Sequence, residues 1–226
     1  APPAPAAESF FAAVEQELAA NDTVLVAFEY GPVEVDEMNR IAEPILQHLL
    51  AREAHLVIAS TRAEGPALAD SLLAQLLPEA QERERRVTNL GYRPGRAAGV
   101  QELLANVDSA SAQGATAPAM IVVLAAQPED LRTWIEQVAL SGYGRLPVVA
   151  GISARVEPLA APYLDPGAGT LRGTVAGLAG ATVYEGWLGT GSRAALYLNS
   201  LGLAQLVVVG LMIVGAFIFL VGRRQE

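Results

Sequence analysis

The sequence predicts a three-layer α/β domain of Rossmann-like type, with a mainly parallel sheet of about five strands, followed by one C-terminal transmembrane helix. Two observations predict the domain: short runs of branched apolar residues recur along the chain, and segments with helical spacing of apolar residues separate them. This alternation is typical of right-handed βαβ units, which build a parallel sheet with helices on both faces. An uncharged apolar run over residues 201–221 predicts the membrane helix.

Four strands are predicted where a short run is rich in Val, Ile and Leu, the composition of strands buried on both faces, and a further short strand is predicted after the charged stretch 79–86. In chain order the five predicted strands cover residues 23–28, 55–60, 86–90, 120–125 and 146–152. Each helix is predicted where apolar residues recur at helical spacing, in most cases after a Pro or acidic start signal. The predicted helices cover residues 8–20, 36–52, 66–77, 96–106 and 128–140.

Composition divides the chain into five parts. A segment rich in Pro and Ala precedes the α/β domain, and a short connector containing Gly and Ser separates the domain from the apolar run. The first segment resembles a spacer exposed by signal cleavage or by removal of an upstream segment. The predicted parts are a spacer at 1–9, the α/β domain at 10–189, the connector at 190–200, the transmembrane helix at 201–222 and a basic tail at 223–226.

The predicted membrane helix has one strongly polar side chain, Gln205, and no charged one. About 20 residues at 1.5 Å rise per residue span a hydrocarbon core of roughly 30 Å. The alternative, a buried helix of a soluble core, rarely reaches this length without a charge. Arg223 and Arg224 follow the run, so the positive-inside bias predicts a cytoplasmic C-terminus and a main domain outside the bacterial cytoplasmic membrane.

The charge balance narrows the classes of partner. The chain has 24 acidic residues against 15 basic ones, all of them arginine, and a net charge of -9. Non-specific binding to nucleic acid or to anionic lipid headgroups needs a positive face, so the acidic balance argues against both. The absence of cysteine excludes disulfides, thiolate catalysis and cysteine-ligated metals.

A parallel sheet binds ligands at the edge where its strands end, near the point where strand order reverses. The polar residues predicted at this edge are Glu29, Ser60, Thr61, Arg62, Asn89, Tyr92, Arg93, Arg96, Ser153 and Arg155. The segment 89–96 is the best single candidate, because two glycines, two arginines and a helix start are suited to a small anion. The alternative is a tight turn whose glycines take positive φ while the arginines face water.

Catalytic patterns are mostly missing. Ser153 lacks the second glycine of a nucleophile elbow, and segment 89–96 is not a Walker loop. The two histidines, His48 and His55, lie away from the ligand edge in the predicted order of elements. The acidic cluster over residues 34–37 is interpreted as carboxylates that interact favourably with the positive end of the helix dipole, not as a metal site. Neither a metal nor a cofactor is predicted. A carboxylate pair between Glu29 and another acidic loop residue stays open.

Two small-residue faces predict helix contacts. Glycines spaced four apart at the end of the domain would form a ridge on a helix, which lets another backbone approach closely. That backbone is either the domain's own sheet or a partner subunit. The glycines and the glutamine of the apolar run predict lateral packing in the membrane, with a lone lipid-facing anchor as the alternative. The predicted interaction face comprises Gly169, Gly173, Gly177, Gln205, Gly210 and Gly215.

Three stretches resemble a family of uncharacterised bacterial membrane proteins. They are VLVAFEYGP at 24–32, NLGYRPG at 89–95 and GTVAGLAGATVYE at 173–185. Members of that family place an α/β domain before a terminal apolar helix, so the resemblance implies the same architecture here. It implies no activity, cofactor or catalytic residue.

These observations together predict a non-catalytic binding or assembly subunit of a membrane protein complex. The lipid bilayer, reached through residues 201–221, and other membrane-protein subunits are the predicted partners. The alternative is a membrane-tethered enzyme or sensor that binds a small anionic ligand at the strand ends.

Overall fold

Six parallel strands form one sheet in the computed structural model, which describes residues 4–110, 117–164, 170–189 and 211–213. The strands are β1 Thr23–Glu29, β2 His55–Ser60, β3 Val87–Tyr92, β4 Pro118–Ala125, β5 Val148–Ile152 and β6 Leu171–Ala176. Their order across the sheet is β3-β2-β1-β4-β5-β6. The predicted α/β class and parallel sheet are confirmed, with six strands instead of about five.

Helices cover both faces of the sheet. They are α1 Ala4–Glu17, α2 Val35–Ala51, α3 Gly65–Leu76, α4 Ala80–Arg86, α5 Ala97–Ala110, α6 Pro128–Leu140, α7 Glu157–Ala160 and α8 Gly177–Leu188, with a 3-10 turn at Ala161–Leu164. One buried cluster joins α1, α2, α3 and α8 to the sheet, and a second joins α5, α6 and α7 to the opposite face. Alternate residues of β1 supply the two clusters, which is why its run TVLVAFE is apolar almost throughout.

The order of the strands reverses at β1. Strand β1 pairs with β2 on one side and with β4 on the other, and later strands extend the sheet outward from each. The loops that follow β1 and β4 therefore diverge to opposite faces of the sheet and leave a crevice between them. We call the edge at which the strands end the carboxyl edge, and the opposite edge the amino edge.

Strand β6 and helices α4, α7 and α8 have no counterpart among the predicted strands and helices. Strand β6 has the sequence LRGTVA, whose glycine and arginine hide the strand pattern. Helix α4 lies in the charged segment before β3, where the sequence shows no apolar stripe and the structure buries no residue. Helix α1 begins at Ala4, inside the predicted spacer, and Ala7 is buried against the domain.

The predicted glycine ridge is wrong in its secondary structure. Gly173 lies on strand β6, not on a helix, and Gly177 opens α8 with φ of 57°. A Cβ on Gly173 would collide with the backbone nitrogen of Phe10 and lie 2.6 Å from the carbonyl oxygen of Ala6. The close approach is thus made by α1 of the same domain, as the intradomain alternative predicts. Gly169 lies outside the described residues.

The predicted transmembrane segment also lies outside the described residues, apart from 211–213, and with it Gln205, Gly210 and Gly215. Among the residues that the structure describes, no helix combines the length and the apolar character needed to cross a bilayer. The last helix of the domain, α8, ends at Leu188, and Gly189 terminates it with a left-handed φ of 67°.

Candidate functional site

The crevice at the carboxyl edge is crossed by an ion pair between Arg62 and Asp130. Arg62 follows β2, and Asp130 lies in the first turn of α6, after β4. The guanidinium donates through Nε and Nη2 to the same carboxylate oxygen, over 2.9 and 2.8 Å. The Asp130 side chain is only 7% exposed, so solvent screens this pair little.

Glu34, which precedes α2, forms a second set of hydrogen bonds across the crevice. Its carboxylate accepts hydrogen bonds from the backbone N–H of Gly31 at 3.1 Å, from Gln127 Nε2 at 2.8 Å and from Arg155 Nη2 at 3.1 Å. Burial favours a higher pKa for Glu34, but these donors outweigh it and hold the pKa below its ordinary value. Glu34 is therefore a carboxylate at neutral pH.

We call these five residues, Arg62, Asp130, Glu34, Gln127 and Arg155, the crevice network. Its members come from the loops after β1, β2, β4 and β5 and from the start of α6. The N-terminus of α2 is the position at which many dinucleotide-binding folds hold a phosphate. Here the carboxylate of Glu34 lies next to that helix start and occupies donors that such an anion would use.

Glu29 lies beneath the network, at the end of β1, and is fully buried. One carboxylate oxygen accepts from the backbone N–H of Thr61 at 2.8 Å and from Trp134 Nε1 at 2.9 Å, and the other accepts from the Thr61 hydroxyl at 2.8 Å. Burial raises the pKa of Glu29 to about 6 despite these three donors. The residue joins three elements and has no exposed surface from which to activate water.

Both predicted serines are buried and bonded to neighbouring strand ends. Ser60 Oγ donates to the carbonyl of Phe28 at 2.6 Å and accepts from the backbone N–H of Arg62 at 2.9 Å. Ser153 Oγ donates to the carbonyl of Ala126 at 3.1 Å. Neither hydroxyl faces a base within the described residues, so both hold the loops of the crevice in position.

The segment that the sequence favours as the anion site lies elsewhere. Asn89, Tyr92, Arg93 and Arg96 belong to the edge strand β3 and the turn after it, and β2 separates this strand from β1. Asn89 bonds to Asp70 at 2.8 Å, which fixes the turn against α3. Positive φ values at Gly91, Gly95 and Arg96 match the tight-turn alternative.

Of the ten predicted ligand residues, five therefore lie at the crevice, one supports a loop of the crevice, and four lie elsewhere. Glu29, Ser60, Thr61 and Arg62 lie together at the ends of β1 and β2, and Arg155 pairs with Glu34, whose charge interacts with that of Arg62. Ser153 supports the loop that carries Arg155. The sequence places Glu34, Gln127 and Asp130 in the segments after strands, but it does not predict that they bond to the arginines, and it gives no signal for the bond of Trp134 to Glu29.

The acidic residues near α2 act as hydrogen-bond acceptors. Glu34 belongs to the crevice network, and Glu37 accepts from the backbone N–H of Ala154 at 3.0 Å. In the described part of the chain, no group of three or more His, Asp or Glu side chains is arranged to hold a metal ion.

A second polar cluster joins α1, α2 and α8 on one face of the sheet, with His48 and Tyr184 buried and Glu15 exposed. Nδ1 of His48 lies 2.7 Å from the hydroxyl of Tyr184, and Nε2 lies 2.7 Å from a carboxylate oxygen of Glu15. The carboxylate can only accept, so Nε2 carries the proton and the tyrosine donates to Nδ1. Phe11 stacks on the imidazole at 4.6 Å between ring centroids. We call Glu15, His48 and Tyr184 the His48 cluster.

Comparison with protein-family models and with curated proteins finds no match to this chain.

Proposed function

We propose that the chain is a single-pass protein of the bacterial cytoplasmic membrane, whose α/β domain is a non-catalytic binding or assembly subunit of a membrane protein complex. Residues 201–221 would be its anchor, and Arg223 and Arg224 would lie on the cytoplasmic side. The domain would then lie outside the cytoplasm. The observation that carries the non-catalytic part of the proposal is the crevice network.

An open α/β sheet normally binds its ligand at the switch point, the place where the order of the strands reverses. In this sheet the switch point lies at the end of β1. In this domain the two guanidiniums at that point already have carboxylate partners, Asp130 for Arg62 and Glu34 for Arg155. An incoming anion would have to replace a carboxylate that is preorganised by the fold, and it would leave that carboxylate unpaired. The crevice is thus better suited to holding the loops rigid than to binding and releasing a substrate.

The subunit proposal is tested by cross-linking in intact membranes, followed by purification of the full chain at its native abundance. We expect one or more membrane proteins to co-purify in fixed ratio. Another single-pass protein with the same affinity tag and a similar abundance serves as the control. Recovery of this chain alone, or of the same proteins with the control, would contradict the proposal.

The orientation is tested with the exposed loop after β1. Val33 is 94% exposed and the natural chain has no cysteine, so a Val33→Cys variant carries a single reactive thiol. We expect a membrane-impermeant maleimide to label this thiol in intact spheroplasts. Labelling that appears only after the membrane is opened would place the domain in the cytoplasm.

A second candidate is a sensor or enzyme that binds a small anionic ligand at the carboxyl edge. It is favoured by Arg155, which is 54% exposed although it pairs with Glu34, and by Arg93 and Arg96, which form no ion pair within the described residues. A ligand of the native protein should raise its unfolding temperature in proportion to the logarithm of ligand concentration.

The test compares the wild-type chain with an Asp130→Asn variant, using phosphate and a panel of phosphorylated and carboxylated metabolites. Loss of the Asp130 charge releases Arg62, so the variant is a positive control for anion binding at the crevice. If an added anion raises the unfolding temperature of the variant but not of the wild-type chain, the result supports the subunit proposal. A shift in the wild-type chain at low ligand concentration favours the second candidate.

A further inference from the structure

We infer that the amino edge of the domain contacts the lipid bilayer, with Trp187, Leu140 and Arg145 at the level of the phospholipid headgroups. The inference rests on the proposed membrane anchor and adds to it which surface of the domain faces the lipid. The crevice network, at the opposite edge, would then face away from the membrane.

Helix α8 runs from the carboxyl edge to the amino edge of the sheet. The helix starts directly after β6 and packs back on the sheet, so it ends at the amino edge. The His48 cluster confirms this direction, because Tyr184 of α8 bonds to the last turns of α2, just before β2 begins. The chain therefore leaves the domain at the amino edge, after Gly189.

The connector between α8 and the apolar run is short. Residues 190–200 separate α8 from the apolar run and can span at most about 40 Å when fully extended. If the carboxyl edge faced the membrane, the connector would have to run back along the domain from the amino edge. The distance is the length of a strand, about 20 Å. Placing the amino edge at the bilayer needs no such detour.

Trp187 has the exposure and the support of an interfacial anchor. It lies in the last turn of α8 and is 41% exposed. Its ring packs edge-on against Phe11 at 5.6 Å and against Tyr184 at 6.3 Å, so a buried aromatic cluster fixes its position. Tryptophan favours the membrane interface, because its ring is largely apolar and its N–H remains hydrated.

The helices on the opposite face of the sheet from α8 also place an apolar side chain and an arginine at the amino edge. Helix α6 follows β4 and returns to the amino edge, where its last residue, Leu140, is 77% exposed. Leu140 and Tyr143 line a shallow groove of about 280 Å³ between α5 and α6. Arg145 follows in the same loop, is exposed and forms no ion pair within the described residues, which suits a phosphate of a lipid headgroup.

The carboxyl edge also exposes apolar residues, Val33 and Leu159, and this makes a matched comparison possible. Leu140 and Leu159 are both exposed leucines on helices, at opposite edges of one sheet. Leu140→Cys and Leu159→Cys variants of the full chain would each carry one thiol for an environment-sensitive fluorophore. The labelled chains are reconstituted into phosphatidylcholine vesicles that contain lipid brominated near the headgroup.

We expect the label at position 140 to be quenched and to shift to shorter wavelength, and the label at 159 to keep its emission. Unlabelled wild type should lose tryptophan emission in the same vesicles, while a Trp187→Phe variant should not. The remaining Trp134 is buried near the carboxyl edge and serves as the internal control.

Three other outcomes overturn the inference, and they are distinguishable. If the chain does not float with vesicles after an alkaline wash, the proposed anchor fails as well. If it floats but the label at 159 is quenched instead, the opposite edge faces the bilayer. If it floats and neither label is quenched, the amino edge is held away from the lipid and only the anchor stands.

Discussion

Trp134 donates its indole N–H to the fully buried carboxylate of Glu29 over 2.9 Å. The bond joins α6, on one face of the sheet, to the end of its central strand. Thr61 supplies two further hydrogen bonds from the loop after β2, so one carboxyl group connects three elements around the switch point. A buried group of this kind makes stability depend on pH, because its pKa differs between the folded and unfolded chain.

We expect Glu29 to make the domain less stable as pH rises from 4.5 to about 6. The folded chain keeps the proton up to about pH 6, whereas the unfolded chain releases it near the ordinary value of 4.5, so deprotonation favours unfolding in this window. The difference of about 1.5 pKa units corresponds to roughly 2 kcal/mol in the free energy of unfolding.

Urea unfolding followed by tryptophan fluorescence measures this dependence, with a Glu29→Gln variant as the reference. The variant cannot ionise at this position, so other titrating groups contribute equally to both chains and cancel in the difference. A wild-type chain and a variant with parallel pH profiles between 4.5 and 6 would contradict the role assigned to Glu29.

A Tyr184→Phe variant should lose about 1 to 3 kcal/mol of unfolding free energy, because Nδ1 of the buried His48 is left without its donor. The matched control is Tyr163→Phe, in the 3-10 turn, where the side chain is half-exposed and has no hydrogen bond within the described residues. The control should change stability by less than about 0.5 kcal/mol. Equal effects of the two substitutions would show that the His48 bond contributes nothing specific.

His48 should make the domain less stable in acid. Burial lowers the pKa of His48, and the hydrogen bond from its ring to Glu15 recovers only part of the shift. The unfolded chain therefore takes up this proton first as pH falls below 6.5, which favours unfolding. A His48→Gln variant should lose less stability than wild type across this range, as measured by urea unfolding above and below pH 6.5. NMR titration should also show His48 protonating at lower pH than an unstructured histidine.

Two glycine-to-alanine substitutions should have opposite signs. Gly173→Ala puts a methyl group into the backbone of α1 and should cost about 1 to 3 kcal/mol or more. Gly186→Ala lies in α8, where a Cβ meets nothing within 4 Å, and should gain up to about 1 kcal/mol. Thermal unfolding of both variants tests the pair, and a neutral Gly173→Ala would contradict the close contact between α1 and β6.

Much of the sheet could be predicted from local patterns, since four strands are short apolar runs that must be buried on both faces. The bounds of β2 agree with the prediction, and those of β1 differ by one residue. Strand β6 could not be predicted in this way, because Arg172 and Gly173 interrupt its apolar run. Its place depends on α1, a partner that no local window of sequence contains.

The residues of the crevice could be predicted, but their pairing could not. Parallel strands end at one edge, and this rule places Glu29, Arg62 and Arg155 together without any motif. Whether those charges are available to a ligand depends on Asp130 and Glu34, which lie 68 and 121 positions from their arginine partners. Long-range pairs of this kind leave no periodic signal, so the sequence shows an open anion site where the structure has internal ion pairs.

The contact between α1 and β6 has a consequence for synthesis of the protein. Helix α1 and strand β6 lie near opposite ends of the domain in sequence, yet Gly173 permits their backbones to touch. On the ribosome, α1 is therefore made early, and the part of its apolar face that meets β6 and α8 stays uncovered until those elements emerge. A nascent chain that stalls before Leu171 would expose Phe10 and Val14, and this segment would then be the natural binding site for a chaperone.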